Sequence, residues 1–348
     1  MKKLITSVLT LSAMSLVVAQ SNTDTSTQTG NSNIAQITQI GSSNTNTLLQ
    51  HNGDSNKAYI NQTGSSHSNT ITQSGSLNVA NADQTGSGHK NEVESTGSGN
   101  ISNVDQTGTI QWTRQYQTGS SNEAVADQSG TDNWNVQTQN GSNNYANTEQ
   151  SGSTHDTYQT QNGSDNSANS TQSGMLNYLT QIQTGDNNTA TSEQSGNLTG
   201  SYMSQLARQE QEGDFNKVSV LQDGNNNKSY QYQFGDNNEA EVSQSGDANY
   251  ADQDQIGDDN LATLSQTGTN NGVQYQSGNN NTASGIQSGW NSLSQSQYGN
   301  GNWASDTQTS TLSSSINTAT ILQRDGLNRH TGIQTGNGNT MTVTQKAN

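Results

Sequence analysis

Carboxylates recur at one spacing in this 348-residue chain. Asp83, Asp105, Asp127 and Glu149 stand twenty-two residues apart, and Glu193 follows two such steps later, with Thr171 in the gap. If each step is one coil of a repeating structure, these side chains form an outward column about 5 Å apart, and like charges at that distance repel. Such a column solvates a face, or it brakes self-association until acid or a divalent cation neutralises it. Histidine keeps the same step: His67 and His89 are twenty-two apart, and His155 lies three steps beyond His89. A stacked pair of imidazoles is the start of a metal site, but no third ligand falls in register. Hydrogen-bonded turn histidines are therefore expected, with no metal and no cofactor. The chain has no Ser/His/Asp set, nucleophile elbow or phosphate loop, so no enzyme activity is expected.

What positions these residues is a repeat. Glycine returns every eleven residues from Gly64 to Gly196 without a break. Turn glycines such as Gly75, Gly86, Gly119, Gly141, Gly163, Gly185, Gly235 and Gly246 each close a short strand. Residues 28–39 show the frame Q-x-G-x-x-N-x-A-x-x-x-Q, in which Asn33, Ala35, Ile37 and Gln39 share one strand face. The frame returns with Asn78 and Gln84, Asn144 and Gln150, Asn188 and Gln194, and Asn238 and Gln244. These amides are assigned to the interior. Alternate half-units carry a second inward glutamine, as in Gln115/Gln117, Gln137/Gln139 and Gln159/Gln161. Two strands and two turns per unit of about twenty-two residues predict an all-β solenoid of about fourteen coils, stacked about 4.8 Å apart. Stacked Asn and Gln amides hydrogen-bond along such a stack as in cross-β assemblies.

Composition agrees with that architecture. Hydrophobic residues are 25% of the chain, about half the globular norm, so an ordered state must rest on satisfied polar side chains. Proline is absent, as expected where nearly every backbone N–H is needed by a ladder. Cysteine is absent too, which removes disulfides and thiolate metal sites. The net charge of −17 disfavours nucleic acid and anionic lipid as partners. Lys2 and Lys3, the apolar run Leu4 to Val18, and Ala19 have the pattern of a signal peptide over residues 1–19. No later segment is expected to insert into a membrane.

The repeat frame, paired into units of about twenty-two residues behind a signal peptide, resembles the curlin repeat of bacterial curli subunits. The resemblance covers most of residues 28–345. It implies an extracellular functional amyloid, a cell-surface fibre subunit of the biofilm matrix with roles in adhesion and aggregation. It also implies self-association end to end, a nucleator subunit and outer-membrane export machinery as partners. The chain has more repeats than familiar curlins and lacks their long repeat-free export segment.

The expected organisation is a signal peptide over 1–19, a repeat solenoid over 20–195, an irregular insertion over 196–212, solenoid again over 213–308, and degenerate C-terminal repeats or a cap over 309–348. Outward aromatics, among them Trp112, Trp134, Tyr116, Tyr158, Tyr178, Tyr230, Tyr232 and Tyr250, either grip polysaccharide, dye or a second filament or merely stiffen the sheet. The alternative function is a secreted monomeric solenoid that binds ice, through outward threonines such as Thr138, Thr160, Thr180 and Thr184, or acts as an adhesin.

Overall fold

Alternating side-chain faces, a glycine turn and a constant step leave the chain one way to bury its amides, and the computed structural model adopts it. The structure describes residues 21–197 and 205–347. The signal peptide expected over 1–19 lies outside the described residues. Among the described residues twenty-nine strands run from β1 (Thr23–Gln28) to β29 (Thr340–Lys346). Odd-numbered strands form one sheet of fifteen and even-numbered strands a second of fourteen. Every pairing is parallel and joins a strand to the next but one, as Asp127 joins Glu149 between β10 (Glu123–Thr131) and β12 (Tyr145–Ser153). Parallel neighbours need a long crossover; here the crossover is a strand of the opposite sheet. The result is a β-solenoid of about fourteen turns, as the repeat predicts.

Burial follows the face assignment. Ala124, Ala126 and Gln128 are buried while Val125 and Asp127 point outward. Apolar side chains cluster in two stretches, one including Leu48, Ile60, Ile71, Val93 and Val104, the other Leu179, Val220, Val242, Leu264, Leu293 and Ile321. Between them the interior is largely amide and hydroxyl. Thr148 Oγ1 donates to Gln159 Oε1 at 3.0 Å, and Thr157 Oγ1 to Gln172 Oε1 at 2.8 Å.

The turn glycines are required twice over. Gly163 has φ +128°, and a Cβ built there would collide with the carbonyl of Gly185, one coil on. That same Gly163 carbonyl accepts a hydrogen bond from Asn144 Nδ2 at 2.8 Å. Glycine thus supplies the backbone conformation and lets an arc carbonyl approach.

The departure expected over 196–212 is narrower. Residues 205–212 form strand β17 (Gln205–Glu212), paired with β15 (Asn177–Thr184) and β19 (Asn227–Phe234). Gln205, Ala207, Gln209 and Gln211 are buried in the ladder. Only the step lengthens: Gln181 bonds Gln209, twenty-eight residues on, where most other coils take twenty-one to twenty-three. The strands on either side keep their ladder register. The final strands, β28 (Arg329–Thr335) and β29, follow a similar lengthening to twenty-six between Gln297 and Gln323. They continue the stack, and no element described here covers them as a cap.

Gly163→Ala should lower the stability of the folded chain by about 1–3 kcal/mol. Gly88, at φ +73° and placed so that a Cβ would make only ordinary van der Waals contact with Ile110, should accept asparagine within about 0.5 kcal/mol. Urea unfolding of the two variants checks the contrast.

Candidate functional site

The repeated interior is the most distinctive chemistry of the molecule. In the even-numbered sheet, one glutamine per coil forms an unbroken column from Gln39 to Gln334. Each Nε2 donates to the Oε1 of the glutamine one coil on: Gln84 to Gln106 at 2.8 Å, Gln150 to Gln172 at 2.9 Å, Gln244 to Gln266 at 2.9 Å. The second amide hydrogen crosses to a carbonyl of the opposite sheet, as Gln150 does to Trp134 O at 3.0 Å. Nearly every glutamine therefore ties its coil to the next and one sheet to the other. The odd-numbered sheet carries two further columns, one from Gln117 to Gln345 and one from Gln115 to Gln295. The latter ends on Asp306, whose Oδ2 accepts from Gln295 at 2.8 Å while its Oδ1 faces His330 Nε2 at 3.1 Å.

The arcs hold an asparagine column of opposite sense. Asn122 Oδ1 accepts the backbone N–H of Asn144 at 3.0 Å, and Asn144 Nδ2 also donates back to Asn122 Oδ1 at 3.0 Å. His67, His89 and His155 sit in the matching column at the other turn, with Asn44, Asn133 and Asn177, and imitate asparagine. Nδ1 of His89 accepts the N–H of Gln111 at 3.2 Å, and its Nε2 lies 2.9 Å from Thr85 O. The network assigns the proton to Nε2 and leaves Nδ1 as acceptor. His67 and His89 stack with ring centroids 4.9 Å apart. Burial lowers the pKa of all three below 6.5, and the charge of His67 lowers that of His89 further. Among the described residues no group of three or more His, Cys, Asp or Glu side chains is arranged to hold a metal.

Outside, Asp83, Asp105, Asp127, Glu149, Thr171 and Glu193 pair in one register on successive strands. Partial burial, then the neighbouring carboxylates, raise the pKa of Asp105 and of Asp127 above 3.8. A second acidic column was not read from the sequence, although its signal is the aspartate after the turn glycine. Asp186, Asp214, Asp236 and Asp258 each accept the N–H of the preceding arc, Asp186 N to Asp214 Oδ1 at 2.8 Å for example.

The outward aromatics singled out from the sequence lie on the odd-numbered sheet, whereas Tyr59, Tyr145 and Trp303 lie on the even-numbered one. Lys90 Nζ and Arg114 Cζ lie over the Trp112 ring at 4.5 and 4.4 Å, and Trp134 packs 3.7 Å from it. Cations over that ring compete with any sugar for its face. The tyrosines pair diagonally from coil to coil, Tyr158 with Tyr178 and Tyr230 with Tyr250. Thr138 and Thr160 are neighbours, but Tyr116 and Ile182 flank them in the column, so no continuous threonine array forms.

A coil of two parallel strands, with Asn, Ala and Gln inward and glycine at each turn, is the geometry on which the family comparison falls. Residues 47–75 and 235–268 match the model of the curlin associated repeat. The chain carries curlin-associated repeats. The first match spans β4 (Lys57–Ser65) with most of β3 (Thr45–His51) and β5 (Ser68–Ser76), and the second spans β20 (Glu239–Asp247), β21 (Tyr250–Ile256) and β22 (Leu261–Gly268), so each match covers more than one coil. No curated protein matches the chain. Among the described residues no helix is long and apolar enough to cross a membrane.

The three histidines and the Asp105 and Asp127 carboxyls titrate in opposite senses. Neutral His67, His89 and His155 are favoured by folding, so their stabilisation is complete above pH 6.5 and is lost as the pH falls below it. Urea midpoints should fall between pH 7.5 and 5.5, and the fall should shrink in the His67→Asn/His89→Asn double variant. Asp105 and Asp127 resist ionisation in the fold, so their charge costs stability at neutral pH and the cost is relieved as the pH falls toward 3.8. Asp127→Asn should therefore raise the urea midpoint at pH 7, and the gain should disappear near pH 3.

Proposed function

We propose that this chain is a structural subunit that polymerises end to end into an extracellular curli-type fibre, a material for biofilm matrix, adhesion and aggregation rather than a catalyst. The observation that carries this reading is the state of the two solenoid ends. β1 and β2 (Ile34–Ser42) border the stack on one side, β28 and β29 on the other, and among the described residues each is paired along one edge only. An unpaired strand edge is a template for another chain.

The amide columns give those edges a direction. At the first coil, Gln28 and Gln39 donate onward to Gln50 and Gln62, and among the described residues nothing donates to their own carbonyl oxygens. At the last, Gln334 and Gln345 accept from Gln308 and Gln323, and each retains an amide hydrogen pointing along the stack. With fifteen strands in one sheet and fourteen in the other, a second copy added head to tail continues both ladders when its β1 follows β28 and its β2 follows β29, so that Gln334 meets Gln28 and Gln345 meets Gln39. Head-to-head addition sets acceptor against acceptor. Secretion by way of residues 1–19, a nucleating subunit and an export channel belong to the same reading.

The test is assembly of the mature chain from denaturant, followed by thioflavin fluorescence with and without preformed seeds, and then by fibre diffraction. A seedable sigmoid with reflections near ~4.7 and ~10 Å supports the fibre reading. A soluble β-rich monomer that never seeds overturns it and favours a binding solenoid. Val343 is inward on β29 and only half buried. Val343→Lys should leave the monomer folded and slow seeded growth more than tenfold, because a junction would bury the ammonium without a partner.

A further inference from the structure

Three pairs of tyrosines lie against each other across consecutive coils of the odd-numbered sheet: Tyr158 with Tyr178, Tyr230 with Tyr250, and Tyr275 with Tyr298. Their ring centroids are 5.7, 5.8 and 5.4 Å apart and the planes are tilted by 42–44°. Such diagonal neighbours are within reach for aromatic side chains. None of the six rings is fully buried, so the ring edges have room to turn toward each other.

The Tyr230–Tyr250 pair has two further features. Tyr230 is the register partner of Asp252, and the Tyr250 hydroxyl donates to Asp252 Oδ2 at 3.1 Å. A carboxylate therefore waits at the oxygen that must give up a proton when the phenol loses an electron. Beside Tyr230 lies an open groove of about 250 Å³ lined by Arg208, Glu210, Tyr230, Gln231 and Tyr232, which keeps that ring reachable from solvent. Partial burial and the adjacent carboxylates push the Tyr250 phenol up to about 12. The phenolate is then not the reacting form at neutral pH, and the proton has to leave with the electron.

We propose that Tyr230 and Tyr250 form an oxidative cross-linking site, at which a haem peroxidase working on hydrogen peroxide couples the two rings into dityrosine and staples one coil to the next. The Tyr250 O–H bond breaks, its electron going to the oxidant and its proton to Asp252. Tyr230 loses an electron likewise and a proton to solvent. The two phenoxyl radicals join through the ring carbons ortho to oxygen, forming one C–C bond. The two hydrogens on those carbons then move to the oxygens and restore both phenols. Two electrons and two protons leave in all, and they convert one hydrogen peroxide to two waters. The staple holds coils together covalently in a chain that has no cysteine for the purpose. It does not depend on the fibre reading, because both rings belong to one subunit.

The folded full-length chain would be treated with a haem peroxidase and hydrogen peroxide, then unfolded, digested and mapped by mass spectrometry. Dityrosine fluorescence and a peptide joining Tyr230 to Tyr250 are expected, in at least fivefold excess over the same chain treated in urea. Tyr250→Phe should abolish that peptide and leave the Tyr158–Tyr178 peptide unchanged. Asp252→Asn should cut its yield several-fold with circular dichroism unaltered. Equal yields in folded and unfolded chain, or coupling of Tyr230 to Tyr232 or Tyr116 as often as to Tyr250, would overturn the assignment. If the Tyr250→Phe chain does not fold, Tyr230→Phe provides the same readout from the other ring.

Discussion

A primary amide has two donor hydrogens and an acceptor oxygen, and this protein uses all three on nearly every coil. Along the stack, each interior glutamine gives one hydrogen to the next glutamine and receives one from the last; across the interior it gives the other to the opposite sheet. A buried amide left unpaired costs about 1–3 kcal/mol. Satisfied, it holds together what a chain with so few apolar side chains cannot secure by burial alone. The arrangement works only if glutamine lies above glutamine, so the rest of the structure follows from keeping coils in parallel register.

Register explains the severity of the other constraints. A one-residue slip would put outward carboxylates inside. The arcs must then be of one kind, with glycine where the next arc's carbonyl passes and asparagine, or histidine in its place, bonding the backbone beneath. Histidine succeeds there because its two ring nitrogens reproduce the acceptor and donor of the amide, although only while it is neutral. Asp306 shows how a column stops: where the glutamine series gives way to Ile321, a carboxylate takes the last amide hydrogen and His330 takes its other oxygen.

Much of this was legible in the sequence. Period two and period eleven fix which residues face inward, and the pairing of Asn78 with Asn100 and of Gln84 with Gln106 follows from them. The acidic column Asp83 to Glu193 is likewise a matter of counting. What counting missed is where the count changes. β17 was hidden because the glycine before it is out of step, although Gln205, Ala207, Gln209 and Gln211 keep the inward alternation. The direction in which each amide donates was also not legible, since the residue letters are symmetric and only the geometry of the coil orients the side chain. Nor could spacing alone show that Lys90 and Arg114 lie over Trp112, because that contact depends on rotamers of long side chains from adjacent columns.

The alternation of strands between two sheets sets the grain at which such a chain can change length. Adding eleven residues would send every later strand to the opposite sheet and put columns of unlike side chains in line. Adding twenty-two inserts a whole turn and disturbs nothing on either side, and a step lengthened by six residues still leaves the strands in register. The cross-section is therefore fixed by chemistry and the height is not. A gene for such a protein can grow or shrink by duplicating or losing one repeat at a time, and each product remains a complete solenoid.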